Sequence, residues 1–364
     1  MLLALELVFG GASFAQSRIS QPPQALWITS YYFDSGGFIS EILPEQYQHS
    51  GIPKRALNTG LSRIGLPGKI AFDAAGDLWI PFCPNSGPPG PGIVAALSPS
   101  ALKSIAANRF KDVTVAATLS SPSAPCPGEL TFDASGNLWV GNGSVINNGA
   151  QPLLLEYASS DLFKSGAQPV TVLTSTALHR LGPATFDKQG NLWVTDPTSS
   201  TFEFTPNQLS SGGSQSPELT LQSTAQNPRE VAFDSGGNLW IAYGNGGTTS
   251  ASGSPLPLIV KILASDLVGS GTITPTPAVT FVGPKFCSPI DLCTVTGEVF
   301  DAAGNLWVKT GQMVLEYSPE QQITGGSPLA ALTLAPNFDD TPTGDINRLN
   351  FFDDGTLVFA PEVK

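Results

Sequence analysis

Residues that could do chemistry recur at related places in this sequence of 364 residues. The stretch FDAAGNLWV, Phe300 to Val308, places an Asp, a Gly and an Asn within five residues, a spacing typical of a small metal-binding or catalytic loop. Acidic residues that could ligate Ca²⁺ or Mg²⁺ precede this stretch and others like it, namely Glu129, Glu230 and Glu298. Asp301 and these glutamates either form a functional site or have a structural role in the fold.

Histidine supply excludes two kinds of site. The sequence contains only two histidines, His49 and His179, so a His-rich metal site is excluded. A Ser-His-Asp triad would need a nucleophile elbow of the Gly-x-Ser-x-Gly type, and the sequence has none.

The four cysteines predict disulfides rather than a zinc site. Zinc would need CxxC-like spacing or nearby histidine ligands, and neither is present. An even number of cysteines is compatible with two disulfides in an oxidising compartment. Cys287 and Cys293 are close enough in sequence to close one loop, and Cys83 and Cys126 would then form the other pair.

The stretch at 300–308 is one copy of a repeat, and this decides which elements position the acidic residues. The complete copies are FDAAGDLWI (72–80), FDASGNLWV (132–140), FDKQGNLWV (186–194), FDSGGNLWI (233–241) and FDAAGNLWV (300–308). A sixth copy, FFDDGTLVF (351–359), has lost the Asp and the Trp, and the remaining Trp lies in ALWIT (25–29). Two more short β-type runs follow each copy. Four strands in each unit of about 40–50 residues predict the blades of a β-propeller.

A tight turn between two strands also explains the residue types of the motif. An apolar strand ends at Phe, the Asp accepts backbone N–H groups, and Gly takes a left-handed conformation that a side chain disfavours. The Leu-Trp-Val run begins the next strand, with the indole buried between sheets. Because the copy at 300–308 does not differ chemically from the others, Asp301 is predicted to shape a turn.

The repeat resembles the NHL, SMP-30/gluconolactonase and streptogramin-lyase group of propellers. Pro67 to Ile80 and Pro127 to Val140 show the shared pattern best, and the likeness extends from about residue 25 onward. The resemblance implies an all-β propeller of four-stranded antiparallel blades. The Phe-ending strand and the two later β-type runs each occur six times, which favours six blades, with seven blades as the alternative. In a six-bladed ring, the runs at 25–29 and 356–360 are expected to compete for one strand position in the closing blade.

The resemblance also implies where a metal would lie. SMP-30-like lactonases hold a metal at the mouth of the central channel through Glu, Asn and Asp side chains. The matching oxygen ligands for Ca²⁺ or Mg²⁺ in this chain are Glu129, Glu230, Glu298, Asp196 and Asn142. The alternative is that the glutamates are solvated rim residues balanced by Lys69 and Arg348. Streptogramin lyases use a histidine, but His179 lacks their Glu-x-His context and is expected on the surface.

The N-terminus predicts export. Residues 1–15 form an apolar run that ends in Ser13-Phe14-Ala15, so they are predicted to be a signal peptide, followed by a linker at 16–24 and a single propeller domain at 25–364. No Lys or Arg precedes the run and Glu6 lies inside it, so a start codon misplaced within a longer leader is the alternative. Either interpretation predicts a secreted, periplasmic or cell-surface protein.

Charge and loops limit the function. The net charge is −12 and no Lys/Arg cluster occurs, which argues against nucleic acid or an anionic membrane surface as a partner. The apolar N-terminal run is too short for a transmembrane segment. Long Gly-rich loops at 81–92, 141–151 and 242–257 favour a monomeric binding protein for a protein, peptide, glycan or small molecule. The alternative is a metal-dependent lactonase or lyase that acts at the channel mouth.

Overall fold

Six small sheets form the blades of a β-propeller, so the expectation of six blades is confirmed and the alternative of seven is wrong. The computed structural model describes residues 24–32, 36–51, 57–60, 66–84, 92–107, 115–142, 152–198, 200–245, 256–283, 295–310, 313–334 and 357–361. In blades 2 to 6 the chain runs from the innermost strand outward, the first strands of these successive blades contact one another, and the first strand of blade 6 contacts the strand at 357–359.

The first three blades have the following strands. Blade 1 contains β1 (Leu26–Tyr32), β2 (Gly36–Ile42) and β3 (Leu57–Gly60), together with β27 (Leu357–Phe359) from the other end of the chain. Blade 2 contains β4 (Leu66–Pro67), β5 (Ala71–Phe72), β6 (Leu78–Cys83), β7 (Ile93–Leu97) and β8 (Ala117–Ser120). Blade 3 contains β9 (Pro127–Phe132), β10 (Leu138–Asn142), β11 (Leu153–Tyr157) and β12 (Thr171–Thr174).

The remaining strands and the helices are as follows. Blade 4 contains β13 (Ala184–Phe186), β14 (Leu192–Thr195), β15 (Thr201–Phe204) and β17 (Leu219–Leu221), with β16 (Gly213–Ser214) in a connection. Blade 5 contains β18 (Gln226–Phe233), β19 (Leu239–Asn245), β20 (Leu258–Ile262) and β22 (Val279–Val282), with β21 (Gly271–Ile273) in a connection. Blade 6 contains β23 (Val295–Phe300), β24 (Leu306–Thr310), β25 (Met313–Tyr317) and β26 (Leu332–Leu334). Two α-helices, α1 (Pro99–Ala107) and α2 (Pro206–Ser211), and 3₁₀ turns at Pro44–Gln46, Ser159–Asp161, Ala264–Asp266 and Gln321–Ile323 join strands.

The repeated motif forms the turn between the first and second strands of a blade, as predicted. In blade 3, Asp133 Oδ1 accepts the backbone N–H groups of Ser135 and Asn137 at 2.8 and 2.9 Å, and Gly136 has a φ of +79°. Asp133 Oδ2 accepts the indole N–H of Trp139 at 3.4 Å. The same indole-to-carboxylate bond joins Trp79 to Asp73, Trp193 to Asp187, Trp240 to Asp234 and Trp307 to Asp301. Asp301 therefore anchors a buried tryptophan as well as a turn.

Edge-to-face aromatic pairs pack each blade against the next. The tryptophan of one blade packs against the phenylalanine that ends the first strand of the following blade, with ring centroids 5.6–6.3 Å apart. The six pairs are Trp27–Phe72, Trp79–Phe132, Trp139–Phe186, Trp193–Phe233, Trp240–Phe300 and Trp307–Phe359. Because the pairs continue from blade 6 into blade 1, the hydrophobic core runs around the whole ring.

Ring closure differs from the expectation that 25–29 and 356–360 compete for one position. The strand at 357–359 takes the innermost position of blade 1 and β1 takes the second, with Leu26 opposite Phe359. Phe359 is thus the motif phenylalanine of this blade, and residues 351–356 lie outside the described residues. The prediction was wrong because an alternating apolar strand such as Leu357–Phe359 fits either strand position.

Connections at the outer rim join neighbouring blades. The segment between the third and fourth strands of a blade lies along the outermost strand of the preceding blade. In this way β16 pairs in parallel with β12, β21 pairs in parallel with β17, Gly326 bridges to Phe281 and Gly51 bridges to Leu334. These contacts satisfy backbone groups that would otherwise leave an open sheet edge.

Candidate functional site

The end of the ring opposite the Asp turns is the candidate site, and only its framework is described. Arg348 and the cysteines at 287 and 293 lie outside the described residues, as do most of the predicted loops. Within the described part of the chain, no group of three or more His, Cys, Asp or Glu side chains is arranged to hold a metal ion. No helix in that part is long and apolar enough to cross a membrane.

A disulfide fixes this end of the ring between two blades. Cys83, the last residue of β6 in blade 2, is bonded to Cys126, which directly precedes β9 in blade 3, with their Cα atoms 4.3 Å apart. Both residues are buried. Gly92 N also donates to Pro125 O at 3.0 Å, so the loops on the two sides of this junction are held together.

Two of the predicted oxygen ligands have structural partners. Asn142 is 1% exposed, and its Oδ1 accepts the backbone N–H of Cys126 at 3.0 Å. Asp196 is fully buried, and Oδ2 accepts from the backbone N–H groups of His179 and Arg180 at 2.7 and 3.2 Å. Its Oδ1 accepts from both the backbone and the side chain of Thr198. Asn142 ends a second strand and Asp196 directly follows one, and each side chain caps the loop that enters a first strand.

A cross-ring ion pair occupies the channel. Lys69 lies in blade 2 and Glu230 in blade 5, three blades apart in a ring of six and therefore on opposite walls. The Lys69 Nζ atom is 3.5 Å from Glu230 Oε2, and the two side chains are 14% and 7% exposed. An ammonium thus occupies the place beside Glu230 that the metal prediction assigns to a cation.

Glu298 differs from the other two glutamates because its strand register is offset. Glu129 and Glu230 lie three residues before the motif phenylalanine, whereas Glu298 lies two residues before Phe300. Side chains two apart on a strand share a face, so Glu298 points with Phe300 toward blade 5. It is 5% exposed, and neither carboxyl oxygen has a hydrogen-bond partner in the described part of the molecule.

Electrostatics around Glu298 follow from that position. Burial and then the negative charge of Glu230 raise the pKa of Glu298 well above its ordinary value, while the Lys69 ammonium opposes the rise.

Glu129 lies in β9 opposite Gly141 and is half-buried. The predicted metal site stays a prediction, and the donor set does not fit it well, because Asn142, Asp196 and Glu230 already contact other groups.

A buried lysine was missed by the sequence reasoning. Lys309 in β24 is completely buried, and its Nζ donates to Thr296 Oγ1 at 3.2 Å. The other complete copies carry a small or apolar residue after the Leu-Trp-Val or Leu-Trp-Ile run, and only this copy has a charge there. That contrast between copies is the signal that could have identified it.

The two histidines are surface residues. His49 is exposed, and the side chain of His179 is 67% exposed with Nδ1 3.5 Å from Asp196 Oδ2. His179 bonds to Asp196 mainly through its backbone N–H, so its imidazole contributes little to holding the loop.

Comparison with solved structures supports the fold alone. A protein of unknown function from Bacteroides caccae is 13% identical, with a TM-score of 0.52, over 93% of this chain and all of that one. Virginiamycin B lyase from Staphylococcus aureus is 13% identical, with a TM-score of 0.40, over 78% of this chain and 75% of the lyase. No protein-family model matches the chain, and no curated protein matches it. The six-sheet arrangement itself confirms the propeller fold that the sequence resemblance implied.

Proposed function

We propose that this protein is an exported, non-catalytic binding protein whose loop-bearing end contacts a protein, peptide, glycan or small molecule. The observation that carries the proposal is the Lys69–Glu230 pair across the channel. It places a protein cation where a lactonase-like site would place a metal. Recognition is then left to the loops around the mouth, as is common where a rigid scaffold carries variable loops.

Export is supported by the Cys83–Cys126 disulfide. Disulfides persist in oxidising compartments such as the periplasm and the extracellular space. This bond joins two blades at the loop-bearing end and so holds the framework of the binding face.

A metal-dependent lactonase or lyase is the second candidate, and Glu298 is the observation that favours it. Its carboxyl is buried beside Glu230 and accepts no hydrogen bond from the described residues. A divalent cation that displaced Lys69 from Glu230 would gain oxygen ligands from both glutamates.

Titration with CaCl₂ and MgCl₂ followed by thermal unfolding separates the two candidates. A cation that binds only the folded protein must raise the Tm in a saturable way. We expect no such rise for the wild type or for Glu298→Gln, with NaCl at matched ionic strength as the control. A saturable rise in the wild type that Glu298→Gln abolishes would establish the metal site and overturn the first proposal.

A further inference from the structure

A cavity of about 370 Å³ lies at the end of the ring that carries the Asp turns, between blade 6 and blade 1. This is the end opposite the channel mouth considered above. Its lining includes Gln24, Tyr47, Asp301, Asn305, Trp307 and Glu316. Trp307 and Tyr47 contact each other edge to face, with centroids 5.3 Å apart, so the cavity has an aromatic wall as well as a polar one.

Negative charge in this cavity is not balanced by a cation of the protein. Asp301 and Glu316 line it, and no Lys, Arg or His is present among its lining residues in the described part of the chain. Asp301 accepts from Asn305 and Trp307, whereas the Glu316 carboxylate has no hydrogen-bond partner among the described residues. Burial and then the charge of Asp301 raise the pKa of Glu316.

The negative charges in the cavity also affect the phenol of Tyr47. Burial raises its pKa to about 12, with Asp301, Glu316 and Glu45 adding to the rise. Its hydroxyl donates to the backbone carbonyl of Gln24 at 2.5 Å. The wall next to the two carboxyl groups is therefore held in place by an internal hydrogen bond.

Blade 5 carries a lysine at the equivalent register position, where blades 3 and 4 carry the glutamates Glu156 and Glu203. There Lys261 lies opposite Trp240 in the strand register, as Glu316 lies opposite Trp307 in blade 6. The Lys261 Nζ atom is 3.1 Å from Asp234 Oδ2 and 5.3 Å from the centroid of the Trp240 ring. A primary ammonium thus pairs with the motif aspartate and with the face of the motif tryptophan.

We propose that the blade 6 cavity binds the primary ammonium group of a small aliphatic amine between Asp301 and Glu316, beside Trp307. The ligand's ammonium takes the part that Lys261 plays in blade 5, and the added carboxylate of Glu316 makes the site more negative. An ammonium there removes the repulsion between Asp301 and Glu316. The cavity volume accommodates an alkyl chain along the aromatic wall.

Calorimetric titration with 1,4-diaminobutane and with n-butylamine tests this site, and 1-butanol serves as the uncharged probe. We expect the amines to bind and the alcohol not to bind. Glu316→Gln should weaken amine binding about tenfold because a charged partner is lost. Glu316→Lys should abolish it, since the blade 5 arrangement then fills the blade 6 site.

Two further measurements make the result decisive. Glu156→Gln changes the residue at the same register position in blade 3, opposite Trp139, and should leave amine affinity unchanged. Glu316→Lys should retain a cooperative unfolding transition with a Tm at or above that of the wild type, because the introduced ammonium pairs with Asp301. Equal binding of 1-butanol, undiminished binding to the well-folded Glu316→Lys variant, or an equal loss in Glu156→Gln would overturn the proposal.

Discussion

At the residue scale, the motif aspartate holds both a turn and a tryptophan. Five indole N–H groups donate to the carboxylate six residues earlier, at 2.9–3.4 Å. Trp27 has Ala360 where the other blades have this aspartate, and its buried Nε1 has no partner in the described part of the chain. Since a buried donor without an acceptor costs free energy, blade 1 lacks a stabilising contact that the other five blades have.

Burial, and then the charge of a motif aspartate, raise the pKa of neighbouring glutamates. Glu203 lies opposite Trp193 in blade 4, and its pKa is raised to about 7 by burial and then by Asp187 and Glu218. The folded protein therefore binds a proton that the unfolded chain releases between about pH 4.5 and 7. Across that window the contribution of Glu203 to stability falls as the pH rises.

Glu203→Gln should remove this pH dependence. We expect the variant to gain stability relative to the wild type at pH 8, where the wild-type carboxylate is buried and charged, and to show little gain at pH 4.5. Thermal unfolding of both proteins at the two pH values measures the difference. A wild-type-to-variant difference in Tm that is equal at pH 4.5 and pH 8 would contradict the assignment.

At the element scale, the outer edges of the sheets are protected by the neighbouring blade. The backbone N–H of Gln215 donates to Thr174 O at 2.9 Å, next to the parallel pairing of β16 with β12. In blade 6, the Gly326 N–H donates to Thr280 O and its carbonyl accepts from Val282 N, both at 2.7 Å. Rim strands covered in this way are poor templates for pairing with another molecule.

Gln215→Pro should uncover the edge of β12. The substitution removes the N–H that bonds to Thr174 and should lower the free energy of unfolding by about 1–3 kcal/mol. Urea denaturation gives the stability, and light scattering at elevated protein concentration reports edge-to-edge association. Gln215→Ala keeps the backbone N–H and is the matched control, so an equal loss in that variant would assign the effect to the side chain.

At the scale of the whole molecule, the ring is closed by strand pairing and by an aromatic contact. The strand at 357–359 pairs with β1, and Phe359 packs on Trp307 of blade 6 with centroids 5.7 Å apart. The chain segments at 24–32 and 357–361 meet here, so this junction lacks the covalent turn found in the other blades. Three register pairs and the packing of Leu357 and Phe359 in the core between blade 6 and blade 1 contribute to its stability.

Phe359→Ala should therefore weaken the closure. We expect a loss of about 3 kcal/mol in the free energy of unfolding, because the substitution empties the space against Trp307. Urea denaturation measures the loss. Val358→Ala changes a partly buried residue of the same strand and should cost less, so equal losses in the two variants would show that Phe359 has no special part in closure.

The architecture was predictable because its side chains recur in each copy of the repeat. The site was harder to predict because its residues occur in single copies. The Asp turns and the number of blades could be predicted because the same side chains perform the same task in each copy. The position of 357–359 could not, because that strand lacks the Asp and Trp that distinguish first from second strands. The rim pairings are formed by backbone groups, which leave little trace in side-chain identity.

The candidate site shows a similar limit. The resemblance to SMP-30-like lactonases made Asn142 and Asp196 candidate metal ligands, and in the structure both side chains accept backbone N–H groups and cap loops. Glu298 was grouped with Glu129 and Glu230, although an offset of one residue turns a strand side chain to the opposite face. The Lys69–Glu230 contact depends on the width of the ring, which the sequence does not encode locally.

The closure of blade 1 has a consequence for chain connectivity. Ala360 N donates to Ala25 O at 3.0 Å, as Asp133 N donates to Asn137 O at 3.1 Å across the turn of blade 3. The ends of the ring are thus already held in the geometry that a motif turn spans. A circular permutant that joins Phe359 to Leu26 through Asp-Ala-Ser-Gly-Asn, and opens at the turn of another blade, would keep all six blades and give Trp27 an acceptor that none of the described residues provides.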